Sequence, residues 1–330
     1  MLRLRNVALS MAALVLSATA AWPQATYPNR PVRVLIPYAP GGLTDVIARH
    51  YADQLRKSLG QNFIVENKPG ASGIIAIEEM ARAKPDGYTI MVGNISTNCL
   101  TPVLLSKRMK IDYDRDVQII ARTADAPVFF LATTTNFPPK TFQEFIAYAK
   151  AHPGDVRYAS AGIGAYQHVN TEILAKRAGG LDLVHIPFKD GGSGILKDVA
   201  GGDTHVSWFN VSNPVGMIKA GKVRPLAVAA EHRLPAWPDV PTLNELGFEG
   251  FRPSQWNAAF APAGVPREII DKLHNAFAEA AKTPEMRAIF EKGGLTAPDD
   301  KSADDARAWL KNEMETWRRD IADAGIKVDE

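Results

Sequence analysis

The chain has 330 residues and a formal charge of +2, from 38 basic and 36 acidic side chains. That near balance excludes nucleic acid or an anionic membrane as the main partner, and the single cysteine, Cys99, excludes an internal disulfide. The length allows two domains and a core that needs no cross-links.

The sequence opens Met1-Leu2-Arg3-Leu4-Arg5, followed by an apolar run from Val7 to Ala21 with small residues at Ala18-Thr19-Ala20. This is the pattern of a secretory signal peptide, and it falls short of the roughly 20 residues of a membrane span. Two cleavage points fit, at Ala18-Thr19-Ala20 and after Ala25; removal of residues 1–25 leaves a mature chain beginning Thr26-Tyr27-Pro28, with its charge near zero once Arg3 and Arg5 are gone. No cysteine lies near the cleavage point to carry a lipid anchor. An exported, soluble protein is expected.

Val32 to Ile36 is a short apolar, β-branched run that predicts a buried strand. Pro40-Gly41-Gly42 stops it, and Thr44 or Asp45 is a candidate N-cap for a helix through Val46, Ile47, Tyr51 and Leu55. A strand, a glycine turn and a helix start aim free backbone N–H groups and a partial positive charge at one point, as a carboxylate or phosphate requires. An ordinary βα turn that binds nothing has the same pattern.

Phe63 to Asn67 is a second strand, and the Pro69-Gly70 turn leads to a helix through Ile74, Ile77 and Met80. Tyr88 to Val92 predicts a third strand, and Gly93 to Asn98 a polar loop. Val117 to Ala121 and Val128 to Ala132 follow as strands, and Thr141 caps a helix through Phe142, Phe145 and Ala149. Val156 to Ala159 is a strand whose end, Ser160-Ala161-Gly162-Ile163-Gly164, repeats the glycine turn before a helix carrying His168, Ile173 and Leu174. Strands at Leu183 to Ile186, His205 to Asn210 and Pro225 to Ala229 complete this block. This alternation predicts an α/β fold with a largely parallel sheet.

Glu231 to Pro241 is proline-rich and reads as a connection back to the first domain, before a strand from Ser254 to Pro262. Helices follow, the last with one apolar stripe of Ala306, Leu310, Met314, Trp317 and Ile321 that reads as core packing. The predicted lobes are 26–125 with 232–330, and 126–231.

Catalytic patterns are broken. Gly162-Ile163-Gly164 is followed by Gln167 where a dinucleotide fingerprint needs glycine, and Tyr158 replaces the first glycine of a nucleophile elbow at Ser160. His168 and Glu172 stand one helical turn apart without a third metal ligand at suggestive spacing, and His185 and His205 read as strand histidines with local partners. Trp256 either walls a pocket or packs between domains. No cofactor and no enzyme activity are expected; binding is the economical reading.

These residues closely resemble the Bug family, the solute receptors of tripartite tricarboxylate transporters. The resemblance is carried by Pro37-Tyr38-x-Pro40-Gly41-Gly42-x-x-Asp45, Val65-Glu66-Asn67-Lys68-Pro69-Gly70, Pro85-Asp86-Gly87-Tyr88-Thr89, Ser160-Ala161-Gly162-x-Gly164, His185-Ile186-Pro187-Phe188 and Trp256-Asn257, in order along the mature chain. It implies a periplasmic type II binding fold, two α/β lobes closing over a small organic carboxylate that passes to membrane permease subunits. The implied contacts are Tyr38, Gly41, Gly42, Thr44 and Asp45 from one lobe and Ser160, Gly162 and Gly164 from the other. Asn94, Ser96, Thr97, Phe188, Asn210 and Trp256 would shape the distal end. A monomer is expected.

Two positions depart from the pattern. Ala165 removes a hydroxyl usual after the second glycine turn, and Asn210 replaces a common aspartate, removing a negative charge from the cleft. The second change favours a di- or tricarboxylate or an aromatic carboxylate over an amino acid. Two other outputs stay open, a sensor kinase domain reading the closed lobes and an exported enzyme on the same scaffold.

Overall fold

The structure is a computed structural model that describes residues 27–188, 192–251, 253 and 255–326. The expected signal peptide lies outside the described residues. The chain runs through β1 (Val32–Ile36), α1 (Leu43–Leu59), β2 (Phe63–Asn67), α2 (Ile74–Ala81), β3 (Thr89–Asn94) and β4 (Val117–Ala126). It continues through β5 (Val128–Thr133), α3 (Phe142–Ala151), β6 (Arg157–Ser160), α4 (Tyr166–Arg177), β7 (Val184–Pro187), α5 (Gly192–Gly201), β8 (Val206–Asn210), α6 (Val215–Lys219) and β9 (Val223–Ala229). The last part holds β10 (Gln255–Pro262), α7 (Arg267–Ala281), α8 (Pro284–Gly293) and α9 (Ala303–Ala324).

The strands form two five-stranded sheets, in the orders β2-β1-β3-β10-β4 and β7-β6-β8-β5-β9. Each is mixed, not largely parallel as expected. In the first, β1 pairs parallel with β2 and β3, while β10 runs antiparallel between β3 and β4. In the second, β6 pairs parallel with β7 and β8, while β5 runs antiparallel to β8 and β9. The antiparallel strands are those by which the chain arrives from the other sheet, so no helical crossover sets their direction.

The chain changes sheets between Ala126 and Val128 and returns between Ala229 and Gln255. Register shows which end of each sheet meets these crossings. Gln255 opposes Ala126, and two residues along Asn257 opposes Asn94 at the carboxyl end of β3. In the other sheet Asn210, at the carboxyl end of β8, opposes Val128. The carboxyl ends of the parallel strands in both sheets therefore face the crossings, the usual position of a ligand crevice in α/β proteins.

Helix α9 packs against β4 of the first sheet and against α4, which follows β6 of the second. Its stripe is buried at Ala306, Met314, Trp317 and Ile321, as its spacing predicts. Trp256 belongs to this packing. Its ring meets Trp309 edge-on at 5.0 Å, and its Nε1–H donates to Glu313 Oε1 at 2.9 Å. The same oxygen accepts from Trp317 Nε1 at 2.9 Å. Strand alternation sends Trp256 to this face and Asn257 to the other, where Asn257 meets α1. Trp256→Ala should therefore lower stability by about 3–5 kcal/mol, read as an earlier urea midpoint, with ligand affinity retained below the transition.

Candidate functional site

The first turn is built on Asp45. Gly41 holds φ at +91°, a left-handed conformation that glycine adopts without strain, and this lets the chain reverse directly after β1. Neither Thr44 nor Asp45 is the N-cap of α1. The cap is Gly42, with no side-chain acceptor, because Asp45 sits inside the first turn and reaches back. Asp45 Oδ2 accepts the Gly41 N–H at 2.9 Å and Arg49 Nε at 3.0 Å, and its Oδ1 accepts from Asn67 at 2.8 Å. Asn67 also donates to Tyr38 O at 2.9 Å, tying the turn to β2. Burial alone would raise the Asp45 carboxyl, but Arg49, Gly41 and Asn67 outweigh it and hold it below the ordinary range. The oxygens of Asp45 are thus engaged within the turn, while the N–H groups of Gly42, Leu43 and Thr44 find no capping acceptor among the described residues.

Around that helix start lies a polar cluster. The Tyr38 hydroxyl donates to Asn94 Oδ1 at 2.5 Å, and the Ser96 N–H donates to the same oxygen at 3.0 Å. Asn94 Nδ2 donates to Thr44 Oγ1 at 3.3 Å, and that hydroxyl donates to Asn257 Oδ1 at 3.3 Å. Thr97 Oγ1 accepts the Asn94 N–H at 3.3 Å. The expected polar loop at Gly93 to Asn98 is instead the end of β3 followed by π-helical Ser96–Leu100, continued by helical Thr101–Leu104. The helical winding turns Thr97 back onto Asn94. The fold thus joins Tyr38, Thr44, Asn94, Ser96 and Thr97 into one network, and Asn257 belongs with them.

The second turn follows β6. Gly162 holds φ at +117°, and α4 starts at Ala165 without a side-chain cap, as the departure from Ser or Thr there leads one to expect. Ser160 Oγ accepts the Gly162 N–H at 3.0 Å, its own proton reaches Gly162 O at 3.0 Å, and His185 Nε2 lies 2.5 Å away. The hydroxyl has one proton, so His185 Nε2 donates to it when that proton goes to Gly162 O and accepts from it otherwise. The Gly164 N–H donates to His168 Nδ1 at 3.3 Å, which keeps that ring neutral with its proton on Nε2. His185 stacks between Tyr158 at 4.8 Å and His168 at 4.4 Å, and the Tyr158 hydroxyl donates to Glu172 Oε1 at 2.5 Å.

Ser160 is fully buried, and its oxygen is satisfied inside the turn, so it holds the glycine loop in shape. Phe188 follows β7 beside it, its N–H donating to Ser160 O at 2.8 Å. Asn210 ends β8 with 4% exposure. Gly164 also faces the first sheet's side of the molecule: a Cβ there would lie 3.6 Å from Leu104 Cδ1. The candidates therefore gather at the strand ends beside the crossings, and Trp256 alone turns elsewhere. Asn257, His168 and His185 were not among them. Asn257 carried a legible signal, as the polar residue in an otherwise apolar strand centre.

Burial pushes both stacked histidines down, His185 to about 4, with His168 adding to that shift and Glu172 opposing it. In the unfolded chain each takes a proton near pH 6.5. Between pH 6.5 and 4 the unfolded state thus binds more protons than the folded one. The neutral pair's contribution is complete above that window and is lost as pH falls through it. The melting temperature should drop over this range, and His185→Gln should make the drop shallower; an identical profile in the variant would assign the loss to other groups.

Residues 47–326 match the family described as Tripartite tricarboxylate transporter family receptor. Among solved structures, the periplasmic binding protein BugD is 30% identical with a TM-score of 0.77, over 91% of this chain and 99% of its own. MatC from Rhodopseudomonas palustris, with bound malate, is 31% identical with a TM-score of 0.79, over 89% and 100%. An R. palustris protein solved with adipate is 28% identical with a TM-score of 0.81, over 91% and 99%. The two lobes thus have the periplasmic binding protein fold, and the chain belongs to the tripartite tricarboxylate transporter receptor family, with the Bug proteins.

Proposed function

We propose that this protein is an exported receptor that captures a small organic carboxylate between its lobes and delivers it to permease subunits in the membrane. The observation that carries this is the pair of helix starts, α1 at Gly42 and α4 at Ala165, each uncapped by a side chain and each at the carboxyl end of a parallel strand. First-turn amides and the helix dipole favour a carboxylate at such a point, and two of them can grip one acid from both sides. The malate and adipate of the related structures are acids of this kind.

In this reading Gly42 and Thr44 meet the carboxylate from the first lobe, residues 26–125 with 232–330. The start of α4 meets it from the second, 126–231, where Gly162 and Gly164, their amides taken by Ser160 and His168, give the turn its shape. Tyr38, Asn94, Ser96 and Thr97 line the approach, and Gly41, Asp45 and Ser160 hold the turns. Phe188 and Asn210 close the distal end. The protein works as a monomer in the periplasm, after loss of residues 1–25, without a cofactor and without turning the acid over.

A thermal-shift panel of small carboxylates against protein freed of co-purified ligand by unfolding and refolding tests this. An acid at 100 times its Kd adds about 2.7 kcal/mol to the folded state and raises the melting temperature clearly. Gly42 has a φ of −75°, which proline shares, so Gly42→Pro removes the N–H at a φ the ring accepts. It should lose the shift, whereas Gly42→Ala, with nothing within 4 Å of its new Cβ, should keep it. A flat panel with folded, ligand-free protein would overturn the carboxylate reading. Gly162→Pro is a poorer probe, because a φ of +117° is closed to proline and the turn itself would go.

A further inference from the structure

Asn210 occupies a particular place in the second lobe. Its side chain leaves β8 on the same face as Val206 and Trp208, because alternate residues of a strand share a face. Trp208 marks the depth: its Nε1–H donates to Thr171 Oγ1 on α4 at 3.0 Å. Two residues on along the strand is about 6.6 Å, the rise of four to five residues of helix. Since α4 runs back over the sheet from the end of β6, that step leads from Thr171 to Tyr166 and Gln167, the uncapped first turn. The Asn210 amide therefore stands opposite the start of α4, at the crossing end of the sheet, where β8 meets Val128.

Its Oδ1 is buried and has no hydrogen-bond partner among the described residues. Asn170, on α4 between Gln167 and Thr171, is fully buried with neither amide atom partnered. Buried amide groups in folded proteins are almost always satisfied, so a carbonyl oxygen held in this position calls for a donor.

We propose that Asn210 reads a hydroxyl on the bound acid, so that the preferred ligands are hydroxycarboxylates; this rests on the carboxylate reading above. An ionised carboxylate has no proton to donate to Oδ1. An ammonium group has, but among the described residues Asp45 is already engaged by Arg49, Asn67 and Gly41, and Glu172 accepts from the Tyr158 hydroxyl. Burying such a charge also costs far more than burying a neutral donor. A hydroxyl is neutral, donates to Oδ1, and keeps lone pairs for the amides of Asn170 or of the α4 start. It is the smallest group that meets these demands.

Calorimetric titration of the exported protein with matched acids tests this: malate against succinate, citrate against tricarballylate, and the best acid of the panel against its analogue with hydrogen in place of any hydroxyl. In at least one pair the hydroxyl acid should bind about tenfold or more tightly. Asn210→Leu should close that gap while the deoxy acid binds as before. Asn210→Asp, which still accepts a proton, should keep the gap, and carries the test if the leucine variant does not fold. Equal affinities within every pair, a tighter deoxy acid, a best ligand without a hydroxyl, or an unchanged gap in Asn210→Leu would overturn the proposal while the receptor reading stands. Binding of no acid at all would overturn both.

Discussion

The buried Asp45 carboxylate is the constraint on which the first lobe's side of the cleft depends. A left-handed glycine and an uncapped helix start are unstable company, since both leave amides without partners. Asp45 resolves this from inside the helix. It accepts one amide from Gly41 and, through Arg49 and Asn67, fixes the turn to α1 and β2. The amides of Gly42, Leu43 and Thr44 find no capping acceptor among the described residues, and the Asp45 side chain faces backwards. The second lobe reaches the same end by other means, with Ser160 and His168 taking the Gly162 and Gly164 amides. Each lobe therefore spends a polar side chain on its glycine turn and leaves its helix start open.

Much of this was legible in the residues. Apolar runs such as Val32 to Ile36 and Val206 to Asn210 and the two glycine turns carry the alternation of strand and helix. They do so because hydrophobic period and turn chemistry are local properties. Strand direction is not local. β5 and β10 look like any buried strand, and only their arrival from the other sheet makes them antiparallel. The same limit explains Trp256 and Asn257. Both faces of β10 are buried, so the sequence holds no polar–apolar alternation to say which neighbour turns to the cleft.

The site was legible as a set of loops and less so as a set of roles. Thr44 and Asp45 read as alternative caps, and the structure uses neither that way, because a carboxylate at the third helical position can reach the preceding amide. His185 and His168 lie on different elements, 17 residues apart, and no spacing rule joins them. Only the parallel register of β6 with β7 brings the Tyr158–His185–His168 stack together.

Helix α4 joins the second glycine turn to α9. It starts at the second glycine turn and ends at Arg177, which forms an ion pair with Asp320 of α9 at 3.6 Å and covers the Phe251 ring. A helix of 12 residues is a stiff rod of about 18 Å. Its two ends are held by different partners, the first turn by the glycine loop through His168 and the last by Asp320 and the Phe251 ring. One rigid piece thus runs from the second glycine turn to the packing between α4 and α9, and the turn cannot be placed without placing that packing too.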